Sequence, residues 1–187
     1  MEKFIEYLNS YSKLSNLTLE KLKESIVTLE LQKNQILLRQ GQICKNLYFV
    51  EKGILKQYYF LDDKEIIDYF ATENKIVSSI SSLFGQKPSN KIIEAIESSV
   101  LSSIPYEKLE NLFLTSPDLE RVGRLIATEA FILMEERIFS LQFHTAKKRY
   151  DDLLKNNPDI LQRVSLGDVA SYLGITQVTL SRIRSQK

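Results

Sequence analysis

Residues 165–184 read SLGDVASYLGITQVTLSRIR and carry the most specific pattern in the chain. Ser165 is followed three residues later by Asp168, which is typical of a helix start that side chains cap. We therefore predict a first helix over Leu166–Leu173. Gly174 ends this helix, because the turn that follows needs a residue that tolerates positive φ.

A second helix follows the turn, with Thr176 as its N-cap and Gln177 as its first residue. Two helices that cross steeply through a short turn need a small residue at their closest approach, and Ala170 lies there. Five apolar residues fall at the inward positions and fix the crossing angle: Val169, Leu173, Ile175, Leu180 and Ile183. An ordinary helical hairpin does not need this combination, so the stretch predicts a helix-turn-helix.

The outward face of the second helix carries no acidic residue. Glutamine can pair bidentately with adenine and arginine with guanine, valine can touch a thymine methyl group, and hydroxyl groups can bond bases or phosphates. We therefore predict a DNA-reading surface, with a solvated surface position as the alternative for each of its members. It consists of Gln177, Val178, Ser181 and Arg182, with Thr176 and Thr179 beside them.

Charge is distributed unevenly along the chain. From residue 145 onward there are eight Lys or Arg and four Asp, a net charge of +4, whereas the whole chain carries +1 and the rest therefore −3. A basic end on an acidic body fits DNA contact through that end. An uneven surface on a nearly neutral protein is the alternative, and charge does not decide between them.

The composition excludes several classes of function. Of the 187 residues, 43% are hydrophobic and 26% charged, as in ordinary globular proteins. There is no long apolar run and the N-terminus lacks a signal-peptide pattern, so we expect a cytoplasmic protein without a membrane partner. Cys44 and His144 are single residues of their types, which argues against a disulfide, an iron–sulfur cluster and a metal site. We expect no cofactor and no enzymatic activity.

Short segments rich in Ile, Val, Leu, Tyr and Phe follow two short helices, one carrying Phe4 and Leu8 and one capped by Thr18. Many short strands at this spacing predict a sandwich or barrel. Gly53 falls between two of them and is typical of a hairpin turn. The predicted strands are Ile36–Arg39, Leu47–Glu51, Ile54–Leu61, Ile66–Phe70, Ile92–Glu97 and Val100–Ile104.

The longest predicted helix runs from Asp118 to about His144, after a Ser116-Pro117 start. Its apolar residues lie on more than one face, so more than one face must be covered. A twin helix from a second subunit would cover one of them, and burial within one subunit is the alternative. The predicted dimer contacts are Val122, Ile126, Leu133 and Leu141.

The chain therefore divides into three predicted parts. Residues 1–115 form a sensor barrel with N-terminal helices, residues 116–144 the dimerisation helix, and residues 145–187 the DNA-binding domain. We assign the whole to an α+β fold class, with a double-stranded β-helix or jelly-roll barrel at the N-terminal end.

This order of parts resembles the Crp/Fnr family of bacterial transcription regulators. The likeness is carried by residues 41–53 (GQICKNLYFVEKG), by Ser116-Pro117-Asp118, and by residues 170–184. It implies a cyclic-nucleotide-binding-like barrel that receives a signal, a homodimer on a pseudo-palindromic DNA operator, and RNA polymerase as a further partner. It also implies that Gln177 and Arg182 face DNA bases.

Two departures from the family pattern affect the expected effector and the DNA contacts. Cyclic-AMP-binding members carry Gly-Glu and, about ten residues on, Arg-Ser or Arg-Thr, where this chain has Ser78-Ser79 and Ser89-Asn90. A serine cannot replace the guanidinium group that pairs with the cyclic phosphate, so we expect an empty pocket or another small molecule there. The sequence also ends at Lys187, where the family commonly continues into a β-hairpin wing.

Two functions fit these observations. The first is sequence-specific regulation of transcription. The second is a ligand-binding or protein-interaction module whose helix-turn-helix no longer binds DNA. Acidic residues at the positions of Gln177 and Arg182 would favour the second, and none is present.

Overall fold

Two antiparallel sheets form the barrel of the computed structural model, which describes residues 1–185. One sheet has the strand order β1-β8-β3-β6 and the other β2-β7-β4-β5. This sandwich, followed by a long helix and C-terminal helices, confirms the predicted α+β fold class. The strands are β1 (Val27–Leu31), β2 (Ile36–Leu38), β3 (Asn46–Lys52), β4 (Leu55–Leu61), β5 (Lys64–Ala71), β6 (Ile76–Val77), β7 (Ile92–Ala95) and β8 (Ser99–Pro105).

Helices precede, interrupt and follow the strands. The long helix α5 begins at Pro117, as predicted, and ends at Phe143. The helices are α1 (Glu2–Tyr11), α2 (Asn16–Ser25), α3 (Ile80–Gly85), α4 (Tyr106–Thr115), α5 (Pro117–Phe143), α6 (Ala146–Asn156), α7 (Ile160–Arg163), α8 (Leu166–Leu173) and α9 (Gln177–Ser185).

Packing divides the chain into two compact units. The first contains residues 1–57 and 70–129, and the second contains residues 58–69 and the chain from Ala130 onward. The second unit thus holds most of β4 and β5 together with the C-terminal half of α5. The functional boundaries at residues 115 and 144 stay a prediction, and residues 186 and 187 of the predicted DNA-binding domain lie outside the described residues.

The core of the first unit joins the N-terminal helices to β3 and to the start of α5. The rings of Phe4 and Phe49 stack with their centroids 4.7 Å apart. Val122 is fully buried in this cluster, and Ile126 packs against it half-buried. The prediction that Val122 contacts a second subunit is therefore wrong, because its side chain is already covered by its own chain.

The N-terminus of α2 is held by α5. Ser15, not Thr18 as predicted, is the N-cap, and its hydroxyl accepts the Thr18 backbone N–H. The Asp118 carboxylate accepts the Ser15 backbone N–H at 2.7 Å and the Thr18 hydroxyl at 2.8 Å. Partial burial alone raises the pKa of Asp118, but these hydrogen bonds outweigh it and hold that pKa below its usual value.

Gly53 connects two sheets and does not form the predicted hairpin, because β3 and β4 belong to different sheets. Its φ is +100°, and a Cβ atom there would lie 2.7 Å from Cβ of Ser99. Only glycine fits this turn without a shift of the neighbouring strand. The true hairpin joins β4 to β5, where Asp62 and Asp63 both have positive φ, as in a type I′ turn.

Candidate nucleic-acid interface

Two short helices, α8 and α9, form the predicted helix-turn-helix. The Ser165 hydroxyl accepts the Asp168 backbone N–H at 3.1 Å and so caps the start of α8. Gly174 ends α8 in the left-handed conformation, with φ 65° and ψ 38°. The predicted helix bounds and the function of this glycine are confirmed.

The inward residues of the two helices are buried as predicted, with one difference. Ala170 is 2% exposed, as its position at the helix crossing requires. Ile175 lies in the turn and is only half-buried. The buried set is Val169, Ala170, Leu173, Leu180 and Ile183.

The outward face of α9 is open to solvent. Exposed side chains on it are Gln177, Val178, Ser181 and Arg182. The Gln177 side chain lies across the start of α8, since a Cβ atom at Gly167 would come within 2.5 Å of its Nε2. The residues predicted to read bases thus share one accessible surface, which no acidic side chain of α9 interrupts.

Thr176, one of the two threonines beside this face, caps α9. The Thr176 hydroxyl accepts the Thr179 backbone N–H at 3.2 Å, and the two hydroxyl oxygens lie 3.0 Å apart. Thr176 is exposed, whereas Thr179 is half-buried. The Thr176 hydroxyl therefore stabilises the N-terminus of the helix whether or not either threonine also touches DNA.

Two lysines of α6 are paired with carboxylates of the same helix. Lys148 Nζ lies 2.6 Å from Asp152, and Lys147 Nζ lies 3.4 Å from Asp151. The Lys148 hydrogen bond is the main reason that the pKa of Asp152 is lowered. His144 Nδ1 lies 3.5 Å from the same carboxylate. Lys147 and Lys148 are therefore partly neutralised, while Arg182 and Arg184 lie in the exposed last turn of α9.

The predicted effector residues lie mainly in the interior of the barrel. Ser78, Ser79 and Ser89 are 5%, 0% and 3% exposed, whereas Asn90 is exposed. The hydroxyls of Ser79 and Ser89 lie 2.9 Å apart, and the Ser78 hydroxyl donates to the Asn46 carbonyl at 2.6 Å. The three serines thus bond to their own chain.

Two residues that sequence reasoning did not assign to the site complete this polar cluster. Gln57, with its amide oriented to satisfy both neighbours, donates to the Ser78 carbonyl at 3.2 Å and accepts from Lys91 Nζ at 2.6 Å. Gln57 is 5% exposed in the middle of β4. The available signal was a polar residue, next to Lys56, in a strand that otherwise carries only Leu, Tyr and Phe.

This arrangement does not fit a cyclic nucleotide. The stretch from Ser78 to Lys91 contains neither Arg nor Glu, and these are the residues that pair with the phosphate and the ribose hydroxyl. Cys44 is buried, and residues 1–185 contain no group of three His, Cys, Asp or Glu side chains placed to hold a metal ion.

The C-terminal part of α5 is apolar and exposed. Eight large side chains between residues 131 and 143 are 44% to 70% exposed in the single chain. Leu133 and Leu141, two of the predicted dimer contacts, are among them. The set is Phe131, Ile132, Leu133, Met134, Ile138, Phe139, Leu141 and Phe143.

In the part of the chain that the structure describes, no helix is long and apolar enough to cross a membrane.

Comparison with known proteins agrees with this architecture. Residues 28–116 match the model of the cyclic nucleotide-binding domain. The chain is 27% identical over 166 residues to the anaerobic regulatory protein of Haemophilus influenzae, an alignment that covers 82% of this chain and 63% of that protein. It is 28% identical to the fumarate and nitrate reduction regulatory protein of Escherichia coli strain K12, over 82% of this chain and 65% of that protein.

A solved structure shares the fold over most of the chain. It is a protein of Eubacterium rectale assigned to the Crp/Fnr family of transcriptional regulators, with a TM-score of 0.73 and 18% identity. The match covers 95% of this chain and 85% of that one. The chain spans somewhat less than two thirds of the length of the curated relatives named above. Barrel, long helix and helix-turn-helix occur in the same order, and over most of its length the chain is similar to transcription regulators of the Crp/Fnr type.

Proposed function

We propose that this chain binds DNA sequence-specifically and regulates transcription as a homodimer in the cytoplasm. The observation that carries the proposal is the outward face of α9, where Gln177, Val178, Ser181 and Arg182 are exposed together without an acidic side chain. A helix of this kind fits the major groove, where Arg182 can pair with guanine O6 and N7. RNA polymerase is the further partner that such a regulator requires.

The homodimer is supported by the apolar residues of α5. A helix that exposes Phe131, Leu133 and Phe139 on different faces is stable in water only if another apolar surface covers it. A second copy of the same helix provides that surface, and two-fold pairing is the commonest form of assembly. The dimer then presents two copies of α9 to one DNA duplex.

The buried serine cluster argues for an effector other than cyclic AMP. The hydroxyl groups of Ser79 and Ser89 form a hydrogen bond with each other, and the Gln57 side chain accepts a hydrogen bond from Lys91. We infer that the signal is a different small molecule or that the barrel responds to none. The curated relatives are regulators and not enzymes, and we propose the same for this chain.

Selection from a random library of DNA duplexes tests the proposal. Purified protein at physiological salt is expected to enrich a pseudo-palindrome whose half-sites lie about one helical turn, roughly 10 base pairs, apart. Enrichment of no sequence would contradict it. That result would favour the second candidate, a ligand-binding or protein-interaction module whose helix-turn-helix no longer binds DNA.

A further inference from the structure

The last turn of α8 is held at three successive residues by three other segments of the second unit. Ser171, Tyr172 and Leu173 immediately precede Gly174, the turn that sets the direction of α9. The last carbonyl groups of a helix have no partner within the helix, and they attract cations and hydrogen-bond donors. The structure shows which groups satisfy them here.

Arg149 of α6 bridges the C-terminal ends of two helices. Its Nε donates to the Leu173 carbonyl at 2.9 Å, and its Nη1 donates to the His144 carbonyl at 2.7 Å. The side chain is half-buried. A guanidinium group can make both bonds at once because its donors form a rigid fork, and an ammonium group cannot reproduce that geometry.

Arg137 of α5 makes a similar contact one residue earlier. Its Nη2 donates to the Tyr172 carbonyl, and its Cζ lies 4.0 Å from the centre of the Tyr172 ring. This combines a charge-assisted hydrogen bond with a cation–π contact. Burial lowers the pKa of Arg137, which is consistent with a cation placed inside the unit.

Ser171 ties the same turn to the backbone of β5. Its hydroxyl donates to the Glu65 carbonyl at 2.7 Å and accepts the Ile67 N–H at 3.0 Å. One short side chain thus satisfies a donor and an acceptor of a strand. Sequence reasoning missed all three anchors, because each acts through backbone groups far away in sequence.

We propose that Ser171, Arg137 and Arg149 are positioning residues that set the angle at which α9 reads DNA. The inference rests on the proposed DNA binding. Arg182 lies five residues beyond Gln177, where α9 begins, about 8 Å along the helix at roughly 1.5 Å per residue. A tilt of about 10° at the turn would move its backbone by more than about 1 Å, enough to lengthen hydrogen bonds that need about 3 Å beyond their range.

The first test needs no DNA. The Gly174 and Ile175 amides bond to the carbonyls of Ser171 and Ala170, each at 3.0 Å. In the full-length protein, Arg149→Ala and Arg137→Ala are expected to speed hydrogen exchange of these amides about tenfold or more, while the Tm changes little. Lys147→Ala, an exposed change on α6, is the matched control and should leave exchange as in the wild type. Unchanged exchange in both arginine variants would overturn the proposal.

The second test compares the enriched operator with a scrambled duplex of the same composition. Arg149→Ala is expected to lose tenfold or more in operator affinity but less than twofold on the scrambled duplex, because its donors bond carbonyls and not phosphates. Arg149→Lys should fall between Ala and the wild type, since it keeps one donor group and loses the fork.

Equal weakening on both duplexes would make Arg149 a phosphate contact and overturn the proposal. If Arg149→Ala fails to fold, Ser171→Ala takes its place in both tests, with the same expected results. If the wild type does not distinguish the duplexes, the proposed function fails, and the exchange measurement still decides whether the turn is anchored.

Discussion

Arg182 is the residue for which base reading predicts the sharpest effect. Arg182→Ala should weaken operator binding by about 1–3 kcal/mol per half-site and relax preference at one base pair, because a bidentate contact to guanine is lost. Titration of fluorescent duplexes with each base at that position measures this. Lys148→Ala is the control, since Lys148 lies outside α9 and should affect all sequences alike. Equal weakening by Arg182→Ala on every sequence would make Arg182 a backbone contact.

Asp118 gives a prediction about stability and pH. Asp118→Ala should lower the free energy of unfolding by about 1–2 kcal/mol at pH 7, because Ser15 and Thr18 lose their acceptor. The pKa of Asp118 is lowered in the folded state. Its contribution is therefore fully present above the unfolded pKa, about 3.9, and is lost as the pH falls through the lower folded pKa.

Urea unfolding of the wild type and of Asp118→Ala between pH 7 and pH 3 measures this contribution. The difference should stay constant down to about pH 4 and shrink below it. Glu120→Ala, an exposed change on the same helix turn, controls for loss of a carboxylate. A difference that persists unchanged into acid would show that the charge of Asp118 is not what stabilises α2.

Residue roles that depend on local backbone could be predicted from the sequence. Ser165 and Gly174 are examples, because capping and positive φ restrict residue type within one turn. Val122 could not be assigned correctly, since helix periodicity does not say whether an apolar side chain faces its own core or another subunit. The contacts of Arg137, Arg149 and Ser171 that hold the last turn of α8 could not be predicted from the sequence either.

Among the secondary-structure elements, α5 is the one that we expect to form the homodimer interface. Leu133→Glu should convert the dimer to a monomer, because a charged side chain buried between the two copies of α5 would have no partner. The chain should stay folded, since Leu133 is 52% exposed in the single chain. Sedimentation velocity at micromolar concentration and circular dichroism together measure this. Gln142→Glu adds the same charge at an exposed polar position of α5 and should leave the dimer intact. A monomeric wild type would contradict the assembly.

Strands with a buried apolar face were predicted within a few residues of their observed bounds. The elements that were missed lack such a face. β1 exposes Val27 and buries only Leu31, and β6 is two residues long. In α3, Ile80 and Phe84 are exposed, so no apolar stripe marks the helix. Pairing with distant strands, which holds β1 and β6 in place, leaves little trace in local sequence.

The protein as a whole is not expected to bind cyclic nucleotides, although its barrel is of the cyclic nucleotide-binding type. Titration calorimetry with cyclic AMP and cyclic GMP should give no binding at physiological concentrations, because Ser79 and Ser89 lie where the charged residues of the pocket would be and bond to each other. Micromolar affinity for either nucleotide would contradict this. The sequence alone indicates that the charged residues of a cyclic-nucleotide pocket are absent. The structure adds that the hydroxyl groups of Ser79 and Ser89 already have hydrogen-bond partners.

The most direct test of the central claim is the ratio of two dissociation constants, one for the enriched operator and one for a scrambled duplex of equal length and composition. Both are measured at the same salt concentration, since phosphate contacts make each value depend strongly on salt. A dimer that reads bases through α9 should bind the operator about a thousandfold or more tightly than the scrambled duplex. Equal affinity for the two duplexes would contradict sequence-specific recognition by this chain.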